Sequence, residues 1–329
     1  MEKKHLLRLI LAGALLAHLG LLAAGAPARA AGKEVLTIPA VTLSALPAWV
    51  AAERGYFTEQ GLQIEVRRMR PDISIKGMIA GEVVYATAIG SVVRAAVTGV
   101  PVKAVMAYLT SALGVMMTKP EWKTIESLRG EPKQIIGTES VGGTMEYMQR
   151  QFLRHFKLEP GKDVVLRVVG FAEQRAKALQ AKVVDATIVI PPQDEFLKEQ
   201  GFNEVVFGPD IIPEFLLGGL GTTVKKITED REGVKKAIRA SLKATNYINT
   251  ESAGTIDIIA QWFQLERRYA EKTFARLKKA FPADGKVGDA AVLENIELAS
   301  QRLKDVGKVP VERVVDFGLL NEVLKETKR

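Results

Sequence analysis

The sequence predicts an α/β protein, and three observations carry that expectation. From residue 33 onward, short runs rich in Val, Ile and Thr alternate with segments of helical period. The chain has 329 residues, 47% of them hydrophobic, enough to bury one or two cores. Strands alternating with helices imply a largely parallel sheet, because a helix usually makes the crossover between parallel neighbours.

The elements follow in order. Residues 34–40 (EVLTIPA) read as a strand, 41–44 as a loop and 45–57 as a helix opened by Pro47, whose regular part ends at Gly55. A strand at 61–68, a helix at 73–81, a strand at 83–88, a helix opened by Gly90 and Ser91, and a strand at 100–109 come next. A second set starts with a strand at 114–119 and a short helix over 124–130. It continues with strand 133–138, helix 145–156, strand 163–170, helix 172–181, strand 183–190 and helix 191–202. Residues 202–207 and 216–226 are the last extended pieces. Beyond 228 the pattern is nearly all helical, with Val234, Ala237, Ile238, Leu242, Thr245 and Ile248 marking one face. Two segments echo each other, MIAGEVVYATAIGS at 78–91 and LQAKVVDATIVIPP at 179–192, which suggests two lobes of similar build.

The first thirty residues have the build of a cleaved secretory signal: a basic start, an apolar run and Ala28-Arg29-Ala30 as the cleavage site. With no cysteine, a lipid anchor of the lipoprotein kind is excluded. Removing 1–30 lowers the formal net charge from +8 to +5, since Lys3, Lys4, Arg8, Arg29 and Glu2 leave with it. His155 is then the one remaining histidine, so Cys/His zinc sites and cysteine nucleophiles drop out. Phosphate-loop, dinucleotide and zincin motifs are absent. The basic cluster VRRMRP at 66–71 is short and lacks interleaved aromatics, which argues against nucleic acid.

Ligands of open parallel sheets sit beyond the carboxyl ends of the strands, where helices begin. Such junctions here are rich in small, hydroxyl or proline residues: 42–46, 89–91 and 140–144, with Phe171 and Pro191-Pro192 at two others. Each taken singly also suits a plain helix cap; three polar junctions on two lobes favour a cleft between them.

LPAWVAAERGYFTEQGLQIEV resembles the opening of the nitrate/taurine/aliphatic-sulfonate type of periplasmic substrate-binding protein of ABC transporters. SVVRAAVTGVPVKAVM, ESLRGEPKQIIGTESVGGT, KLEPGKDVVLRVVG, RAKALQAKVVDATIVIPP, ELASQRLKDVGKV and VVDFGLLNEVL are similar to later segments of that family, in the same order, covering essentially the whole chain after residue 30. The resemblance implies an α/β, two-lobe, periplasmic-binding-protein-like (type II) fold with a hinge of two crossover strands, near 113–117 and 218–224. Lobe 1 would comprise 31–114 and 222–329, lobe 2 115–221. It also implies a monomeric periplasmic carrier, without cofactor or catalysis, that hands a small anionic or polar organic ligand to an ABC permease served by a separate ATPase. The family positions carried over are Ser44, Leu46, Gly90, Ser91, Ser140, Gly142, Gly143 and Thr144, with Phe171 and Pro191 beside them. Two departures stand out. Where the family often has Asp after Gly-x-Val, Val84 follows Gly81-Glu82-Val83, whereas the second lobe keeps Asp185; and the cysteine-rich motif of the family's thiamine-pyrimidine enzymes is missing. An enzyme on the same scaffold, or a ligand-sensing receptor, are the alternative readings. No Lys or Arg lies within the three polar junctions, so an anionic ligand would be held by backbone N–H and hydroxyl groups.

Overall fold

The computed structural model describes residues 33–327 except 40, 142, 278–279, 301–302 and 304–306. The segment 1–30, read as an export signal, and Gly142 therefore lie outside the described residues. No helix among the described residues is long and apolar enough to cross a membrane.

Two five-stranded sheets form the molecule. In the first, β1 (Glu34–Ile38), β2 (Ile64–Arg68), β3 (Tyr85–Ala86), β4 (Val102–Leu109) and a late strand, Gly218–Thr223, lie in the order β2-β1-β3-late strand-β4. In the second, β5 (Val115–Thr118), β6 (Gln134–Thr138), β7 (Val164–Val168), β8 (Ala186–Val189) and β9 (Asn203–Phe207) lie in the order β7-β6-β8-β5-β9. The late strand is β10. It runs antiparallel to β3 and β4, and β5 runs antiparallel to β8 and β9, so each sheet is mixed, with four strands running one way and one against them. The reason that β5 and β10 oppose the rest is topological: each enters from the other sheet, not from a helical crossover within its own.

Helices carry the chain between the parallel strands. In the first half these are α1 (Leu46–Glu53), α2 (Tyr56–Glu59), α3 (Pro71–Ala80) and α4 (Ile89–Val97). In the second they are α5 (Thr144–His155), α6 (Ala172–Gln180) and α7 (Gln193–Glu199), followed by a one-turn helix α8 (Gly208–Ile211) that the periodicity did not reveal. The remainder is helical as expected: α9 (Val224–Glu229), α10 (Arg231–Thr250), α11 (Ser252–Phe263), α12 (Arg267–Arg276), α13 (Asp289–Ser300), α14 (Val311–Val314) and α15 (Gly318–Thr327). On α10 the apolar face is buried as its spacing requires, through Val234, Ala237, Ile238, Thr245 and Ile248, while Leu242 is only partly covered.

The echo between the two halves is a shared register. Glu34 pairs with Ile64 and Ile38 with Arg68; one hundred residues on, Gln134 pairs with Val164 and Thr138 with Val168. The helices follow at a displacement of 101: Glu82 N–H and Val83 N–H bond Gly77 O after α3, and Val183 N–H and Val184 N–H bond Ala178 O after α6, with positive φ at Gly81 and Lys182. Asp185 stands at the amino end of β8, where its carboxylate accepts the Ile135 N–H at 2.7 Å and pairs with Lys119 at 2.6 Å. At the matching point of the first lobe only the backbone bond from Val84 N to Val35 O is made, so the missing acid is a structural difference remote from the carboxyl ends.

The chain passes between the sheets twice, through 110–114 and 208–217. The two passages bond to each other: Gly208 N–H to Gly114 O at 2.7 Å, Phe215 N–H to Thr110 O at 3.1 Å and Leu217 N–H to Leu109 O at 2.9 Å. A β-carbon on Gly208 would overlap the Ala112 carbonyl oxygen, which is why glycine occupies that crossing. β10 lies wholly in the first sheet, although the sequence reading divides this strand between the lobes at 221/222.

Candidate functional site

The carboxyl ends of β1, β3 and β6 feed α1, α4 and α5, and the polar junctions fall there. None of these junctions is capped by a hydrogen bond to a side-chain hydroxyl. The caps are Thr42 for the 3-10 turn over Leu43–Ala45, Ala45 for α1, Ala88 for α4 and Gly143 for α5, and none accepts a side-chain capping bond. The hydroxyls are thus not consumed by the helices they precede. Ser44 stands 3.4 Å from Thr42 Oγ1, and Ser91 Oγ accepts from Arg94 at 3.2 Å. The Ser140 and Thr144 hydroxyls make no hydrogen bond among the described residues.

Two of the sequence-derived positions meet across the sheets. Gly90, in the first turn of α4, faces Thr144, the first residue of α5: a β-carbon on Gly90 would stand 3.6 Å from Thr144 Oγ1. Gly143 is packed against its own loop, since a β-carbon there would lie 2.6 Å from Ser140 Oγ. Ser44 abuts Gly218 at the start of β10. Leu46 departs from the expectation. It is completely buried among Leu43, Ala45 and Val50, so its side chain serves the first core and does not face the junctions. Phe171 is 72% exposed at the cap of α6, where its N–H is held by Gln174 Oε1 at 2.8 Å. Pro191 is buried in front of α7.

The notable side chain that sequence reasoning missed is Arg175. It sits in what reads as an ordinary solvated helix, AEQRAKALQ, yet it is only 2% exposed. Its Nε donates to Ile188 O at 3.1 Å and its Nη1 to Gly170 O at 2.7 Å, which sets the guanidinium at the carboxyl ends of β7 and β8. Burial pushes its pKa down, against the attraction of Glu139. A charge among the Glu, Gln and Lys of a solvated helix gives no local pattern; only the four-residue spacing to Leu179, the other buried residue of α6, hinted that the position faces inward.

A second set of contacts joins the halves away from the junctions. α12 packs through Ala270 into the first core, while its polar face reaches α7 and β9. Lys272 pairs with Glu195 at 3.1 Å, Arg276 with Asp194 at 3.1 Å and with Glu204 at 2.7 Å, and the Tyr269 hydroxyl bonds Glu199. The Asp194 carboxylate is fully buried, and burial raises its pKa despite Arg276 and Lys198. The Asp194–Arg276 contact is an ion pair whose atoms are not aligned as a hydrogen bond.

With the geometry in place, a family model described as NMT1/THI5 like matches residues 43–252. The chain belongs to that family. No curated protein matches this NMT1/THI5-like chain. Solved structures similar to it include the ligand-binding component of an ABC-type import system from Staphylococcus aureus, at 14% identity and TM-score 0.72 over 88% of this chain and 98% of that one. The periplasmic aliphatic sulphonate binding protein of Escherichia coli matches at 12% identity and TM-score 0.70, covering 88% and 98%. The periplasmic nitrate-binding protein of Synechocystis PCC 6803 matches at 14% and 0.68, covering 89% and 88%. These likenesses establish the fold of this family member as that of periplasmic binding proteins, the α/β two-lobe class implied by its sequence.

Proposed function

We propose that this NMT1/THI5-like protein is the solute-binding component of an ABC importer, taking up a small polar ligand between its two lobes. The observation that carries the proposal is the approach of Gly90 to Thr144, which sets a helix N-terminus from each sheet against the other where backbone N–H groups and free hydroxyls gather. Both lobes then contribute to one ligand, and the ligand favours the closed form by contacting both. The lobes would be those of the sequence reading with the second boundary moved ahead of β10, 31–114 with 218–329 and 115–217, turning on the bonded passages. Ser44, Gly90, Ser91, Ser140, Gly142, Gly143 and Thr144 would line the cleft, with Phe171 and Pro191 at its margin. The remaining parts of the proposal are export by residues 1–30, a periplasmic location, a monomeric state and delivery to a membrane permease driven by a separate ATPase. No bond is made or broken.

A thermal-shift screen of the purified protein against nitrate, taurine, alkyl sulfonates, aromatic carboxylates and pyrimidines tests this. A solute at one hundred times its dissociation constant adds about 2.7 kcal/mol and moves the midpoint by several degrees. Recovery of a bound solute chemically unchanged supports the carrier. Recovery of it altered would turn the reading to an enzyme.

A further inference from the structure

We infer that α12 is an electrostatic latch between the lobes: the outer end of its basic face holds α7 in the conformation where Gly90 meets Thr144, and so sets how readily the cleft opens. None of its residues is among those proposed to line the cleft. The inference rests on the reading of the chain as a two-lobed solute-binding protein that turns on the passages 110–114 and 208–217.

The helix is anchored in the first lobe. Ala270 and Leu277 are buried in the first core, Phe274 packs against it, and the three share one face of the helical turn. Arg268, Tyr269, Lys272 and Arg276 share the other face, at three- and four-residue spacings. Past the end of the helix, Ala280 and Phe281 return to the same core.

That second face meets a surface of the second lobe that does not neutralise itself. Asp194, Glu195 and Glu199 of α7 stand there with Glu204 of β9, and within the second lobe the cation paired with them is Lys198. From α12, Lys272 pairs with Glu195 at 3.1 Å and with Glu199 at 3.7 Å, Arg268 with Glu199 at 3.7 Å, and Arg276 with Asp194 at 3.1 Å and with Glu204 at 2.7 Å. Arg268 also pairs with Glu266 of its own lobe at 3.0 Å. Withdrawing the helix leaves four carboxylates around one ammonium, and like charges so placed repel.

The two ends of the face differ in what a rotation does to them. Arg276 lies at the passages: its guanidinium is 4.6 Å from the ring of Phe207, the residue before Gly208, and nearby Ala280 O accepts the Thr110 N–H at 3.0 Å. Arg268 is two turns away, about 12 Å along the axis at 1.5 Å per residue. Tyr269 packs on Phe196 of α7 there, with ring centroids 4.5 Å apart, and its hydroxyl bonds Glu199. Rotation about the passages moves the inner end least and the outer end most. Arg276 with Asp194 and Glu204 is therefore the pivot, and Arg268, Tyr269 and Lys272 with Glu195 and Glu199 are the catch. The side chains of Arg268 and Lys272 are 58% and 47% exposed, so their pairs are individually weak and screened by salt. A catch of that kind restrains the lobes without locking them.

The latch is made in the same structure that brings Gly90 to Thr144, so a rotation that parts the two junctions also displaces the outer end of α12 on α7.

The absence of cysteine from the chain permits a direct test. Ile79→Cys in the first lobe and Val183→Cys in the second, both at exposed positions, carry spin labels whose separation is measured by double electron–electron resonance on the full chain. The labelled parent is compared with K272E, K272R, R268E/K272E and, as a control, K243E, whose partner Glu59 lies in the same lobe. Circular dichroism checks folding. The ratio of closed to open separations should fall about fivefold or more in R268E/K272E and less in K272E, with K272R and K243E like the parent. Raising potassium chloride from about 50 mM to about 1 M should move the parent in the same direction, since the Debye length shrinks to about 3 Å. A folded R268E/K272E with the parent's distances, or a K243E that opens as far, would overturn the latch. If the double variant does not fold, K272E and the salt series decide. Nitrate, taurine, an alkyl sulfonate, an aromatic carboxylate and a pyrimidine are then added to each sample. A solute that closes the parent and R268E/K272E from the same starting distances sinks the latch and leaves the solute-binding reading standing; distances that no solute, salt or substitution moves sink both.

Discussion

Gly90 and Thr144 belong to different sheets, yet a β-carbon on the first would touch the hydroxyl of the second at 3.6 Å. An alanine methyl would make only ordinary contact there, whereas a longer side chain at position 90 must enter the space that Thr144 borders.

Gly90→Leu should therefore act as a wedge. Gly90 is helical and has no positive φ, so leucine removes a helix penalty of about 1 kcal/mol and the fold should be as stable as before or more so. Solute affinity should fall at least tenfold while the thermal midpoint of the unliganded protein does not drop. Calorimetry with the solute found in the screen measures the first and scanning calorimetry the second. A variant that binds normally would remove Gly90 from the cleft.

Gly143→Val should weaken binding by another route. Its β-carbon would lie 2.6 Å from Ser140 Oγ, so the loop 139–143 must shift and carry Ser140 and the cap of α5 with it. The φ of −80° at Gly143 is ordinary, so global stability should change by less than about 1 kcal/mol. Chemical denaturation and ligand titration on the same sample separate the two effects.

Gly208→Ala should be damaging in the opposite sense. The added methyl would overlap the Ala112 carbonyl oxygen in the neighbouring passage, and backbone cannot give way as a side-chain tip can. Destabilisation of about 3 kcal/mol is expected, since overpacking commonly costs about 1–3 and this site has no flexible neighbour. Urea unfolding reports it.

Arg276→Met and Asp194→Asn should differ sharply. Losing Arg276 strands the buried Asp194 charge, with Lys198 the nearest remaining cation at 3.9 Å, and about 3–5 kcal/mol of stability should go. Asp194→Asn removes a charge whose oxygens make no aligned hydrogen bond and should change stability by about 1 kcal/mol or less. The pH dependence has a definite sign. Burial raises the Asp194 pKa in the folded protein, so the folded state holds the proton more tightly than the unfolded chain does. Its favourable contribution is complete below the unfolded value of about 3.9 and is lost as pH rises from there through the raised folded value. Wild-type stability measured against Asp194→Asn should therefore improve as pH falls through that window. A wild type that instead loses stability relative to Asp194→Asn as pH falls would mean that the pairing with Arg276 outweighs burial.

Much of the architecture was legible because it is written in local periods. The alternation of strand and helix, the amphipathic face of α10 and the likeness of 78–91 to 179–192 all depend on neighbours three or four residues apart, and the register displacement of one hundred residues gives that likeness its structural meaning. The place of the glycine and hydroxyl residues was also legible, since a break in period between a strand and a helix marks a junction, and these residues do stand where β1, β3 and β6 give way to helices.

The sequence by itself determined the class of fold, the family and the absence of cysteine chemistry, because composition and short-range pattern suffice for those. Only the tertiary structure decided that β5 and β10 run against their neighbours, that Leu46 is core, that Phe171 stands in solvent, and that Gly90 meets Thr144. It alone buried Arg175 at the carboxyl ends of β7 and β8, bound to carbonyls five and thirteen residues away in the chain. The physical reason is the same in each case. Local sequence dictates which face of an element turns inward, but which distant group waits on that face is set by how the two sheets pack.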